Sequence, residues 1–225
     1  MKRRYEIALQ NGVGGEIMAN RIEGVREKIL ECAKEEFLEN GFERASIRTI
    51  ANNANTSTNS IYVRFTDKEN LYRSIVDPIS NGFIERLEIA LNGFDTLSKE
   101  NQEKCRNTYA KQGSFDMIDY IYDNFDYFKI LIMSGEYKLY QEFLHKIVDI
   151  DVKYTIRHIE TTGNDAITSG RLSSDFAHML SVAFYSGFFE IIVHDMKKDE
   201  AQNYIQRLRE FYSTGWQTIF NQSDE

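Results

Sequence analysis

The sequence predicts an all-α chain with a small N-terminal helical domain and a larger C-terminal one. Three observations carry that prediction. One proline and thirteen glycines punctuate 225 residues rich in Glu, Lys, Leu, Ile and Ala. Apolar residues recur at three- and four-residue spacing in one segment after another, and no segment offers a strong strand candidate. Hydrophobic residues make up 42% of the chain and aromatics 13%, enough for a packed core and too many for general disorder.

Charge is unevenly spread. The chain carries 27 Lys+Arg against 35 Asp+Glu, a net charge of −8. Residues 1–73 hold 12 basic and 11 acidic side chains and residues 74–225 hold 15 and 24, so the acidity belongs to the C-terminal two thirds. Nucleic acid is therefore not excluded as a partner of the first third. Cys32 and Cys105 lie in helix-like stretches without CxxC spacing and read as reduced thiols of a cytoplasmic protein. No apolar run is read as approaching the ~20 residues of a bilayer span. Met1-Lys2-Arg3-Arg4 does not lead into the apolar stretch of a secretory signal. Neither export nor contact with a membrane is expected.

Residues 1–19 lack helical periodicity and read as a flexible arm containing Asn11-Gly12-Val13-Gly14-Gly15. Three readings stand side by side. The arm is an ordinary tail, a basic strap (Lys2, Arg3, Arg4) reaching along DNA, or sequence upstream of a translation start at Met18. The last arises because Gly15-Glu16 can be encoded by a purine run resembling a ribosome-binding site. Residues 20–78 form the first domain. Its first helix has Asn20 and Glu23 as a capping box, Ile22, Val25, Ile29, Ala33 and Phe37 on one face, and Asn40-Gly41 as its stop. A short helix starts at Ser46, with Ile47, Ile50, Ala51 and Ala54 inward. Asn55-Thr56-Ser57 makes a tight turn in which Asn tolerates left-handed φ and Ser57 caps the next helix. That second short helix runs from Thr58 to about Phe65, with Ile61 and Phe65 inward. Asp67 caps a fourth helix carrying Leu71 and Ile75, which should kink or restart at Pro78 because proline lacks the backbone donor.

Residues 79–225 read as a second domain with helices near 79–92, 98–111, 114–133, 136–161, 173–195 and 199–221. Gly93, Gly113, Gly135 and the stretch Gly163 through Gly170 are the expected breaks.

Two short helices joined by a three-residue turn, behind a longer supporting helix, form a helix-turn-helix. Such a unit presents small polar side chains to base edges from its second helix and brings that helix's N-terminal amides to phosphate. Thr58, Asn59 and Ser60 are small neutral hydrogen-bonders at that position, and Asn can pair bidentately with adenine. Tyr62 and Lys68 suit phosphate contacts, with Arg48 and Arg64 as further cations. Much of the acid in this third lies on the first helix, where it could face away from DNA.

These residues also resemble a known family. Phe42, Ser46 through Ala51, Ala54 through Tyr62, and Phe65 through Leu71 are similar to the DNA-binding domain of TetR (tetracycline-repressor-like) transcriptional regulators, over about residues 21–75. The most specific parts are Ile50-Ala51, Ile61-Tyr62 and Phe65 with Lys68-Glu69 and Leu71 after it. The resemblance implies that Ser46 and Ser57 cap helices and touch phosphate, that Thr58, Asn59 and Ser60 face bases, and that Tyr62 and Lys68 hold the DNA backbone. Three departures bear on the operator that is read rather than on the fold. Asn55 replaces the usual turn glycine, Thr58-Asn59 a frequent Lys-Gly pair, and Val63-Arg64 a frequent His-aromatic pair.

The resemblance further implies that the second domain binds a small-molecule effector and dimerises. Phe176, Leu180, Phe184, Gly187, Phe188 and Ile191 on one helix, with Leu208, Phe211, Tyr212 and Trp216 on the last, are the expected dimer faces, a four-helix interface. Tyr109, Phe115, Tyr120, Tyr122, Phe125, Phe128 and Tyr137, in a stretch dense in aromatics, are the candidates for an effector pocket taking an aromatic or cationic lipophilic molecule. Core packing and a solvated acidic face explain most of that stretch equally well. The four histidines form no ligand cluster; Glu190 and His194 read as a surface ion pair, and Asp149 with Asp151 as unremarkable. No nucleophile motif, HExxH or P-loop occurs. The expected protein is a homodimeric, ligand-responsive repressor on a palindromic double-stranded operator. It is not an enzyme and needs no metal or cofactor. The rival reading is a helical protein-interaction module that does not bind DNA.

Overall fold

A computed structural model of the chain describes residues 24–133 and 137–221. The arm, the Met18 start and the Asn20–Glu23 capping box lie outside the described residues. The described residues fold into nine helices and no strands. They are α1 (24–44), α2 (Ile47–Asn53), α3 (Thr58–Phe65), α4 (Lys68–Asp95), α5 (Lys99–Asp123), α6 (Phe125–Met133), α7 (Tyr137–Thr162), α8 (Ser174–Val193) and α9 (Lys198–Phe220). The chain divides into two compact units, Met1–Asp77 and Pro78–Glu225.

In the first unit the inward face of α1 supplies Ile29, Ala33 and Phe37, all fully buried. Phe37 packs edge-on against Tyr72 with centroids 5.1 Å apart, and Phe42 meets the same Tyr72 ring at 5.2 Å. Gly41 adopts φ 71, which glycine takes without strain, but α1 does not stop there as the sequence reading expects and stays helical through residue 44. Ile50 and Ala51 of α2 and Ile61 and Phe65 of α3 complete the core. Burying side chains as large as Ile and Phe contributes about 1.5–3 kcal/mol each, and this packing is what holds α2 and α3, which are too short to be stable alone.

The second unit is built around Phe83, which is fully buried and touches Phe128, Phe143, Phe188 and Phe189 within 6.5 Å, mostly edge-to-face. A smaller cluster joins Ile159, Ala166, Leu172 and Ala177, with Trp216 and Phe220 packed against it.

Three further breaks differ from the sequence reading. Pro78 does not restart the fourth helix, which runs through it to Asp95. Gly113 sits inside α5, its open side facing Ala90, and the break comes at Asn124, whose amide donates to the Ile121 carbonyl. Gly93 lies inside α4, where a Cβ would collide with the Tyr109 hydroxyl; it serves a close approach rather than a stop.

The expectation of no bilayer-length apolar run is also corrected. Helix α8 is long and apolar enough by length and composition, with mean hydropathy 1.5 over an 18-residue window. Its acidic residues, Asp175 and Glu190, stand near the ends. Part of its apolar face enters the core, with Ala177, Tyr185, Phe188, Phe189, Ile191 and Ile192 buried, while Phe176, Met179 and Val193 stay exposed.

Candidate functional site

Each short helix of the first unit is held by its own cap. Ser46 precedes α2 in extended backbone and its hydroxyl accepts from the Thr49 amide at 3.3 Å. The Ser46 amide in turn donates to Glu36 Oε1 at 2.9 Å, so a buried carboxylate of α1 meets the positive end of α2. Ser57 caps α3 in the same way, accepting from the Ser60 amide at 3.1 Å. Between them Asn55 takes φ 51, the left-handed conformation its short polar side chain tolerates.

This frame fixes which face of α3 is free. Ile61 and Phe65 point inward, whereas Ser57, Thr58 and Asn59 are exposed, Tyr62 is 47% exposed and Val63 76%. Arg48, on α2, is exposed as well. The remaining candidates have protein partners. Arg64 Nη1 donates to the Ser60 carbonyl at 3.0 Å and to Ser60 Oγ at 2.6 Å, which ties those two side chains together on α3. Lys68 Nζ donates to the Glu43 carbonyl at 3.1 Å and lies 4.9 Å from the Phe42 ring centroid.

The second unit holds a half-open cavity of about 670 Å³, within the size range of small-molecule sites. Its walls come from α4, α5, α7, α8 and α9. Aromatic rings dominate. Phe184 and Tyr212 meet edge-on at 5.2 Å, Trp216 stacks on Phe220 at 5.4 Å, and Tyr109 tilts against Phe94 at 5.5 Å.

A polar group is set into this wall. Ser181 donates to Asp151 Oδ2 at 2.5 Å and the Tyr185 hydroxyl to Oδ1 at 3.4 Å. Burial pushes the Asp151 carboxyl above the usual carboxylate range, and the two hydroxyls only partly offset it. Burial and the neighbouring Asp151 push the Tyr185 phenol well up. Arg209, on α9, donates from Nη1 to the Ala110 carbonyl and to Ser114 Oγ of α5. Burial lowers its guanidinium below the ordinary value, with Tyr185 and Asp151 acting against that. Nearby, buried Gln102 donates from Nε2 to the carbonyls of Phe94, Asp95 and Leu97. Its Oε1 must therefore accept from His158 Nδ1, 3.1 Å away, which fixes the proton on that nitrogen.

Of the seven aromatic pocket candidates, Tyr109 and Phe115 line the cavity. The others are placed elsewhere. Phe128 is wholly buried against Phe83, and Tyr120 donates to the Ile79 carbonyl at 3.0 Å beneath Arg86. Tyr122 donates to the Met196 carbonyl at 2.6 Å and stacks on Phe125. The Tyr137 side chain is outside the described residues. Five of the dimer candidates, Leu180, Phe184, Phe188, Tyr212 and Trp216, line the cavity. Ile191 is fully buried in its own chain, and Gly187 admits Leu208 of α9, whose Cδ2 would lie 3.4 Å from an added Cβ. Phe176 and Phe211 remain 42% and 75% exposed. Glu190 and His194 form a surface pair at 3.0 Å.

Sequence reasoning missed Asp151, Ser181 and Arg209 as site residues. Asp151 shares the inward face of α7 with Leu144, Ile147 and Val148, and Arg209 that of α9 with Ile205, Tyr212 and Trp216. A charge on an apolar stripe was the signal.

The family model described as bacterial regulatory proteins, tetR family, matches residues 29–75. No curated protein matches the chain. Among solved structures, NalD, the secondary repressor of the MexAB-OprM multidrug efflux pump in Pseudomonas aeruginosa, aligns with TM-score 0.58 and 16% identity, covering 84% of this chain and 95% of its own. A TerR/AcrR-family transcriptional regulator from Aquifex aeolicus aligns with TM-score 0.56 and 18% identity, covering 84% and 98%. SmeT, the repressor of the Stenotrophomonas maltophilia multidrug efflux pump SmeDEF, aligns with TM-score 0.56 and 16% identity, covering 80% and 83%.

Proposed function

We propose that this chain, a TetR-family transcriptional regulator by its N-terminal sequence and its fold, is a ligand-responsive repressor that binds a palindromic operator as a homodimer. The observation that carries the reading is the free face of α3. A capped two-turn helix buries Ile61 and Phe65 and leaves Thr58, Asn59 and Tyr62 exposed at its start. Amides and small hydrogen-bonding side chains at such an end suit phosphate and base edges. Thr58 and Asn59 are assigned to bases, with Ser60 held by Arg64. Ser46, Ser57, Arg48, Tyr62 and Lys68 are assigned to the DNA backbone.

One such helix with few cations nearby makes few phosphate contacts, so useful affinity requires two heads on one duplex. A second copy of the chain would cover the exposed apolar side chains of α8 and α9, with Phe176, Met179 and Phe211 at its centre. An effector entering the cavity of the second unit would press on Phe83, Leu87 and Leu91 of α4, the helix whose first turns carry Leu71 and Tyr72 of the first unit's core. The affinity difference between two arrangements of that helix is what would release DNA.

Gel shifts of the full chain on the DNA flanking its own gene, across a salt series, test this reading. Binding that weakens steeply with salt and needs two half-sites supports it. A folded chain that ignores DNA at low salt leaves the interaction-module reading instead.

A further inference from the structure

The cavity holds two ionisable groups that do not pair with each other. Asp151 has both oxygens engaged by hydroxyls of α8, at 2.5 Å from Ser181 and 3.4 Å from Tyr185. Arg209 is different. Only its Nη1 has acceptors, the Ala110 carbonyl and Ser114 Oγ, and its Nε and Nη2 hydrogens have none among the described residues. A guanidinium has five donors in a planar fork that matches a carboxylate bidentately, and this fork stands in a wall rich in aromatic rings. Neither Nε nor Nη2 is buried without a partner, so both are open to water or to an acceptor bound in the cavity.

The charge balance gives the sign. Burial favours the neutral form of Asp151, and the two donated hydroxyls, which favour the charged form, offset it only in part, leaving Arg209 as the interior charge. The other charged lining groups cancel: Asp95 is ion-paired with Arg157 at 2.9 Å, and exposed Lys111 and Glu210 carry opposite signs. His158 presents Nδ1 to Gln102. One guanidinium balances one negative charge, so a monoanion fits better than a phosphate dianion. The apolar remainder of the cavity asks for a lipophilic body.

We infer that the cavity selects lipophilic carboxylates, with Arg209 gripping the carboxylate and the rings of Phe184, Tyr212 and Trp216 packing the apolar part. The inference rests on the cavity being the effector site and names the chemical class that the site accepts.

The test uses three probes that share one chain length: decanoate, decanol and decylammonium. Calorimetric titration of the full-length protein is expected to show decanoate binding at least about tenfold more tightly than either other probe, the size of effect a charge-assisted hydrogen bond gives. Arg209→Gln should erase that preference, and Arg209→Lys should keep the order with a smaller ratio. Circular dichroism establishes that each variant is folded, and if the Gln variant is not, the wild-type order and the Lys variant decide. Tighter binding of decylammonium, which would make Asp151 the recognition group, overturns the inference. So does equal binding of decanol, no binding of any probe, or an unchanged decanoate preference in folded Arg209→Gln. Release of operator DNA by a cellular metabolite that is not a carboxylate would also overturn it while leaving the effector reading intact.

Discussion

The Ser181 hydroxyl donates to Asp151 Oδ2 at 2.5 Å, joining α8 to α7 through a carboxylate set among aromatic rings. Tyr185 adds a second hydroxyl at 3.4 Å, and Arg209 of α9 lines the same cavity. Because burial raises the Asp151 value in the folded chain, the folded state holds that proton more tightly than the unfolded state does. Its contribution to stability is therefore present at low pH and is lost as pH rises from the ordinary carboxylate range through the folded-state value. Asp151→Asn removes this titration. Melting curves from pH 4 to 8 should show wild type falling progressively below the variant. Each kcal/mol corresponds to about 2–4 °C in a chain of this size. A gap that stays constant with pH would refute the raised value.

Ser57 offers a way to separate folding from DNA contact. Ser57→Ala loses the cap and should cost about 1 kcal/mol, read as a lower denaturant midpoint. Ser57→Asp keeps a capping oxygen but adds a negative charge at the end of α3 assigned to phosphate. Its stability should stay near wild type while fluorescence anisotropy shows DNA affinity falling several-fold. Unchanged affinity in the Asp variant would place the DNA elsewhere.

Tyr62, Lys68 and Asn59 should fail in three different ways. Tyr62 is half exposed, so Tyr62→Ala should leave stability within about 0.5 kcal/mol and weaken binding equally on all sequences. Lys68 is tied to the Glu43 carbonyl and the Phe42 ring, so Lys68→Ala should lower both DNA affinity and stability, the latter by up to about 1 kcal/mol. Asn59→Ala should change base preference at one position, by about 1–3 kcal/mol, as measured by sequencing bound members of a random DNA pool. Equal loss on every sequence would remove Asn59 from base readout.

Phe211 is three-quarters exposed on α9, more than an isolated apolar side chain needs to be. Phe211→Glu should shift the protein from dimer to monomer in sedimentation velocity at micromolar concentration and weaken operator binding by more than about tenfold, since one head is lost. A wild-type chain that sediments as a monomer would contradict the dimer.

The first unit was legible in the sequence because local rules decide it. The four-residue spacing of Ile61 and Phe65, serines before α2 and α3, and an asparagine in the turn each have one economical backbone solution, and the structure adopts it. The second unit was less legible because periodicity says that a side chain faces inward but not what it faces. Phe115 and Phe128 look alike in sequence, yet one lines a cavity and the other fills the core. The glycines misled for a related reason: Gly93 and Gly113 lie inside helices that other helices approach, and the break came at Asn124 instead. Asp151 and Arg209 could have been noticed as charges on apolar stripes, but their meeting in one wall depends on tertiary packing across α5, α7, α8 and α9.

The central claim is that the capped α3 helix reads DNA, twice per dimer. Its most direct measurement is binding of the full chain to a DNA fragment selected from a random pool, tracked across a salt series, with wild type compared to Asn59→Ala. The account predicts a two-fold symmetric selected site, a steep loss of affinity with salt, and an altered site for the variant. A folded protein that selects no sequence and shows no affinity at low salt would contradict it.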